Sequence, residues 1–172
     1  MKTIILSVLL LFLCNSVCGV LIKLSQSDTR YSADGQYNKT YYLSPDKANF
    51  FLAHLSCLSA GLELASVTTV EESASLNKLL SSVLVTPGWE NGYWLSGSAI
   101  AYNETLEYHW FSTGEKIIYF NWGPGEPNNV DGNESCIEIL LTSGYVPGWN
   151  DLSCMANLRY ICQTRHSCYA DL

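Results

Sequence analysis

Apolar residues recur with helical period over the first half of the chain and in short alternating runs over the second. Phe51, Leu55 and Leu58 fall at spacings of four and three, the apolar stripe of a helix. Ser44-Pro45-Asp46 ahead of them reads as its start, with Pro at the first helical position. Gly61 suits the left-handed residue that ends such a helix. A second helix opens at Thr69-Val70-Glu71-Glu72, a capping box in which the Thr hydroxyl and the Glu three residues later satisfy free backbone donors. Leu76, Leu79, Leu80 and Val83 then follow at i, i+3, i+4 and i+7, and Pro87-Gly88 closes the element. Tyr37 to Leu43, aromatic with Thr, is predicted as a strand, and Leu62 to Val67 alternates with period two as a strand does.

Beyond residue 90 the pattern changes to short strands and loops. Tyr93 to Ser96, Tyr108 to Trp110, Ile117 to Phe120, Cys136 to Leu141 and Leu158 to Cys162 are the predicted strands. Residues 121 to 134 are rich in Gly, Pro and Asn and form one long loop, which in a compact domain is usually functional. Helices first and strands after give an α+β class, with no internal repeat.

The chain has 172 residues, 48% of them apolar, enough for one domain with a real core. Its first segment looks like a secretory leader. Lys2 precedes an apolar run from Ile4 to Leu13, too short to span a bilayer, and cleavage is expected after Cys18 or Gly19. The expected layout is a signal peptide at 1–19, a polar linker at 20–36, one domain at 37–165 and a tail at 166–172. The mature protein is then expected to be secreted and extracellular. Loss of Lys2 takes the net charge from −7 to about −8. An acidic domain without a basic stripe repels phosphate backbones, so nucleic acid is excluded as a partner, and so are anionic membrane surfaces.

Seven cysteines are present, but Cys14 and Cys18 belong to the leader. Of Cys57, Cys136, Cys154, Cys162 and Cys168, four should pair in an oxidising compartment, and sequence alone leaves the pairing open. Sequons begin at Asn38, Asn103 and Asn133 and mark candidate glycosylation sites. Cys168, outside the domain, is a candidate for a disulfide-linked homodimer.

The candidate chemistry lies in the long loop and after it. Glu126 and Asn128 come from Glu126-Pro127-Asn128, Asn150 and Asp151 from Trp149-Asn150-Asp151, and Glu134 stands between. Three carboxylates and two amides form an all-oxygen set of the kind Ca2+ takes, and they need not saturate its six to eight positions. Positions left open favour a ligand that brings oxygens of its own, which points to sugar hydroxyls. His54, His109 and His166 have no metal-ligand spacing and read as structural, and Trp94, Trp110, Trp122 and Trp149 read as core or loop-packing aromatics. No nucleophile motif or phosphate-binding glycine loop appears, so no enzyme activity is expected.

From about Tyr37 to Gln163 the chain resembles a C-type lectin domain of the short form. The resemblance is carried by Trp94-Leu95-Ser96-Gly97, Asn121-Trp122, Glu126-Pro127-Asn128, Glu134-Ser135-Cys136, Trp149-Asn150-Asp151-Leu152-Ser153-Cys154 and Tyr160-Ile161-Cys162. Ser96-Gly97 departs from the family's usual Gly-Leu at those places. The resemblance implies two helices with short antiparallel sheets and a long calcium-binding loop region. It implies disulfides Cys57–Cys162 and Cys136–Cys154, and a cis bond before Pro127. It makes Glu126, Asn128, Glu134, Asn150 and Asp151 ligands of both calcium and carbohydrate, with mannose-type sugars bound through equatorial vicinal hydroxyls. The acids of a second calcium site would fall near Ala99, Asn103, Asn129 and Ser135, none of which is acidic. The 121–134 loop is then expected to depend on one ion for its order. Likeness to secreted single-domain arthropod lectins implies recognition of microbial or cell-surface glycans, an innate-immune role. The alternative is a calcium-independent protein-interaction module on the same fold.

Overall fold

The computed structural model describes residues 22–24, 39–84, 86–102, 105 and 107–164. The expected leader, most of the 20–36 linker, Asn38, Asn103, His166 and the tail with Cys168 lie outside the described residues.

Eight strands and two helices make up the described fold, in agreement with the α+β class. The strands are β1 (Ile22–Leu24), β2 (Tyr41–Leu43), β3 (Glu63–Leu64), β4 (Tyr93–Ser98), β5 (His109–Trp110), β6 (Cys136–Leu141), β7 (Pro147–Leu152) and β8 (Arg159–Gln163). Their order is β1-β2-β8-β4-β6-β7, with β3 pairing β8 and β5 pairing β4. Pairing is antiparallel except between β4 and β8, which run parallel. Part of the expected linker therefore belongs to the sheet, since Ile22–Leu24 pairs with Tyr41–Leu43.

Helix α1 spans Phe50–Ser59 and not the predicted start at Pro45. The backbone just before it serves the sheet: Ala48 exchanges hydrogen bonds with Leu158, and Ser44 N–H donates to Tyr160 O. Those residues cannot also be helical, so the turn is capped by Asn49, whose side chain accepts from Leu52 N–H at 2.9 Å. The predicted stripe also points the wrong way. Phe50, Ala53 and Cys57 face inward, while Leu55 is 59% exposed and Leu58 36%. The rotation is set by the Cys57–Cys162 disulfide and by Phe50, which meets the buried Trp94 ring edge-on at 5.9 Å. Gly61 ends the helix at φ +75°, as expected.

Helix α2 (Val70–Leu80) follows its start signal more closely. Thr69 accepts from Glu72 N–H, but Glu72 returns to Thr68 and to Lys39 and so completes only half of the expected box. Leu76 and Leu80 are buried, and Val83 lies near the surface. The predicted strand over 62–67 shortens to Glu63–Leu64, and the one over 117–120 is absent among the described residues. Tyr119, Phe120 and Trp122 gather around the buried Trp149 ring at 5.9–6.4 Å instead. Trp94, Trp110 and Trp149 are core residues, as the sequence suggests.

Candidate functional site

Strand β7 organises the long loop. Its sequence Pro147-Gly148-Trp149-Asn150-Asp151-Leu152 was not predicted as a strand, yet it pairs with β6 in continuous register from Leu141↔Pro147 to Cys136↔Leu152. The loop is tied to β7 at both ends. At its start Trp149 N–H donates to Asn121 O and Gly123 N–H donates to Trp149 O, and at its end Ser135 N–H donates to Leu152 O. The second disulfide, Cys136–Cys154, closes the same region. Both disulfide pairings agree with expectation, as does the cis Glu126–Pro127 bond.

Between these ties the candidate side chains are drawn together. Asp151 is fully buried, and its two carboxylate oxygens accept the Asn128 and Asn129 N–H groups at 2.9 Å each. Glu134, half-buried, accepts Val130 N–H at 2.9 Å, while its own N–H donates to the Asn129 side-chain oxygen. Asn128 Oδ1 also accepts from Val130 N–H. Positive φ at Asn129 (44°) accompanies a run of three N–H groups, from Asn128, Asn129 and Val130, that face this cluster. Glu126, Asn128, Glu134 and Asp151 thus meet at one junction of loop and strand. Asn150 lies beside them on β7 but turns to a different partner. Its side-chain N–H donates to Glu138 Oε1 at 2.9 Å.

Crowded carboxylates disfavour one another's ionisation. Burial pushes the Glu126 carboxyl above its ordinary range, and the charges of Asp151 and Glu134 add to the effect. Glu134 is raised as well, mainly by burial, with the Val130 N–H partly offsetting it. The Tyr108 hydroxyl is driven up by burial first and by Asp151 next. Glu138 was not among the residues singled out in the sequence. Its side chain is fully buried, it pairs across strands with Asn150, and burial pushes its carboxyl up to about 8. A Glu within a β6 segment of Ile and Leu is the signal that could have found it: a charge at an inward position needs a partner.

The donor set suits a hard cation in composition. Glu126 Oε2 is buried without a hydrogen-bond partner, and among the described residues no Lys, Arg or His forms an ion pair with Glu126, Glu134 or Asp151. The arrangement does not, however, gather three His, Cys, Asp or Glu side chains into a ready metal group among the described residues. Backbone N–H groups occupy one lone pair on several of the oxygens. A carboxylate oxygen has a second lone pair to offer, so these bonds do not exclude a ligand role. Asn133, the sequon beside Glu134, is exposed.

Residues 46–164 match the family described as Lectin C-type domain. The chain is 34% identical over 158 residues to C-type lectin 37Db of Drosophila melanogaster, covering 90% of this chain and 95% of that one. Among solved structures, the mouse scavenger receptor C-type lectin carbohydrate-recognition domain superposes with a TM-score of 0.60 at 26% identity, covering 77% of this chain and 92% of that one. The herring type II antifreeze protein superposes with a TM-score of 0.61 at 23% identity, covering 77% and 95%, a likeness of fold alone.

Proposed function

Because the chain belongs to the C-type lectin domain family, a non-enzymatic family of carbohydrate-binding proteins, we propose that it is a secreted, calcium-dependent lectin for mannose-type glycans. The observation that carries this reading is the convergence of Glu126, Asn128, Glu134 and Asp151 on one junction, with no cationic side chain to balance them among the described residues. Among those residues no helix is long and apolar enough to cross a membrane.

Glu126, Asn128, Glu134, Asn150 and Asp151 would hold the ion. When bound, calcium would supply open coordination positions for two neighbouring hydroxyls of one sugar ring. The chain's own groups then fix the orientation. The Glu126 and Glu134 carboxylates only accept, so each takes a hydroxyl hydrogen. The Asn128 and Asn150 amides donate through nitrogen to the hydroxyl oxygens. Asn150 must release Glu138 to do so, or share its second N–H. The order acid, Pro, amide along 126–128 makes the hydrogen-bond pattern asymmetric, which suits equatorial vicinal hydroxyls of the mannose type. Recognition of microbial or cell-surface glycans, and glycosylation at Asn38, Asn103 or Asn133, belong to the same proposal.

A calcium-independent interaction module is the second reading. It is favoured by the backbone N–H groups that already satisfy Asp151 and Glu134, and by the lack of a ready three-residue metal group. One titration separates the two. Calorimetry should show one calcium per domain, and retention on mannose resin should be lost with chelator. Absence of both effects would leave the second reading standing.

A further inference from the structure

Glu138 and Asp151 are the two fully buried acids among the described residues, and only Asp151 belongs to the candidate ligand set. Glu138 stands on β6 between two neighbours, opposite Trp94 of β4 and Asn150 of β7. Its carboxyl is confined. A Cβ at position 92 would run into Glu138 Oε2, so the acid occupies space that the missing side chain of Gly92 leaves. Oε2 has no hydrogen-bond partner, and Oε1 accepts from Asn150 Nδ2 at 2.9 Å. An acid in such a place is costly unless paired, and here the pairing is with one side chain alone.

The Asn150 amide has two ends of nearly equal shape and opposite chemistry. Its oxygen can bind a hard cation, and its NH2 cannot. Which end faces Glu126 therefore depends on what holds the other. Glu138 Oε1 takes the NH2 end, and Asn150 Oδ1 is left with no hydrogen bond among the described residues and is not buried. Asn150 and Glu126 line one cleft, so the free oxygen belongs to the side where Glu126 stands. An ionised Glu138 can only accept, and with a proton on Oε2 it still offers Oε1 as an acceptor. The flipped amide would set oxygen against oxygen. An NH2 group also carries two hydrogens. The one not given to Glu138 remains for a sugar hydroxyl, so Asn150 need not leave Glu138 in order to bind.

We propose that Glu138 is a positioning residue of the calcium site, which holds the Asn150 amide with its oxygen toward the ion and its second N–H toward the sugar. The role rests on the reading of Asn150 as a calcium ligand. Partners that stand behind a metal ligand commonly govern metal affinity by roughly 10–100-fold. Glutamine is not an equivalent here. Its own NH2 lets it pair with either end of Asn150, so two orientations of the amide are populated in place of one.

The test is calorimetry with calcium alone on the wild type, Glu138→Met, Glu138→Gln, Asn150→Ala and the double variant Glu138→Met with Asn150→Ala. Glu138→Met should bind calcium about tenfold more weakly than the wild type. Glu138→Gln should lose about twofold, since about half of the amides then present nitrogen. In the Asn150→Ala background Glu138→Met should cost nothing further, because Glu138 acts through Asn150. A merely structural role gives another pattern: a lower melting temperature in chelator with calcium affinity unchanged, or an equal loss of affinity in both backgrounds. Either result would overturn the positioning role alone. A second readout needs no metal. In chelator, the Asn150 side-chain NH2 signals, identified in NMR spectra by their loss in Asn150→Ala, should exchange with water more slowly in the wild type than in either Glu138 variant. Equal exchange would overturn the role too, and Glu138→Gln carries both readouts if Glu138→Met does not fold. A wild type that binds no calcium would overturn the reading of the site and the role of Glu138 with it.

Discussion

Replacing Asp151 by Asn keeps its shape and removes its charge, and the structure gives the consequence a size. Both carboxylate oxygens are engaged, one with Asn128 N–H and one with Asn129 N–H, each at 2.9 Å and in a buried setting. A hydrogen bond to a charged group contributes about 1.5–3 kcal/mol. An amide keeps one acceptor and turns an NH2 toward the second N–H, so one bond is lost outright and the other weakens. Relief of repulsion with Glu126 and Glu134 returns about 1 kcal/mol on a near-surface Coulomb scale. The net loss is about 1–3 kcal/mol, or roughly 4–11 °C in melting temperature for a domain of this size. In chelator, Asp151→Asn should melt earlier by that amount. The second effect is on calcium. A ligand that binds only the native state adds about 2.7 kcal/mol at a hundredfold excess over Kd, and the variant, lacking the central carboxylate, should show almost none of that gain. Differential scanning calorimetry of both proteins, with calcium and with chelator, measures the two effects separately. If the variant melts like the wild type in chelator and keeps its calcium increment, Asp151 neither pins the loop nor holds the ion, and the account of the site fails.

Glu126, Glu134 and Glu138 are all raised above the ordinary value of 4.5, Glu138 to about 8. A carboxyl raised in the fold binds protons more tightly there than when unfolded, so stability falls as pH rises from about 4.5 toward 8. In chelator the melting temperature should drop across that range, whereas with calcium, which needs ionised ligands, the drop should shrink or reverse; parallel curves would refute the assignment of Glu126 and Glu134 to the ion. Gly92→Ala should destabilise the fold by about 2 kcal/mol or more, because the added methyl overlaps Glu138 Oε2; an unchanged urea midpoint would show that Glu138 has room to move. Glu126→Gln with Asn128→Asp exchanges acceptor and donor while keeping the net charge, and should shift preference from mannose toward galactose on competing resins. Non-reducing electrophoresis of the protein should show a doubled mass that Cys168→Ser abolishes; a monomeric wild type would remove the covalent dimer.

The residues that converge in the candidate site were legible in the sequence to a degree that the framework around them was not. Glu126-Pro127-Asn128 and Trp149-Asn150-Asp151 are short, contiguous and rich in oxygen, so their chemistry reads directly from residue type. Strand β7 was invisible because Pro147, Gly148, Asn150 and Asp151 all disfavour strands; the pairing of β6 along its whole length imposes the conformation. The rotation of α1 was misread for a related reason. Phe51, Leu55 and Leu58 form a good stripe, but Phe50, Ala53 and Cys57 form another, and the bond to Cys162 with the packing of Phe50 on Trp94 decides between them. Periodicity reports which faces are apolar, and a helix with apolar residues on both sides leaves the choice to contacts distant in sequence. Glu138 went unnoticed because its partner, Asn150, is brought beside it by that same unpredicted pairing.

The geometry also changes what an ion would do for the loop. With one calcium position and no second set of acids, the expectation was that residues 121–134 depend on the ion for order. The loop also carries fastenings of its own: Trp149 and Asn121 at its start, Leu152 and Ser135 at its end, and Asp151 gripping Asn128 and Asn129 in the middle. Three successive N–H groups, from Asn128, Asn129 and Val130, point at the carboxylates and balance part of their charge. What they leave unbalanced is local, namely the raised carboxyls of Glu126 and Glu134 and the unpartnered Glu126 oxygen. On this geometry an ion would add charge balance to a loop that has hydrogen bonds of its own to β7. Calcium should then alter melting and sugar retention strongly while changing the backbone of 121–134 little, since both ends and the middle of the loop are already held by β7.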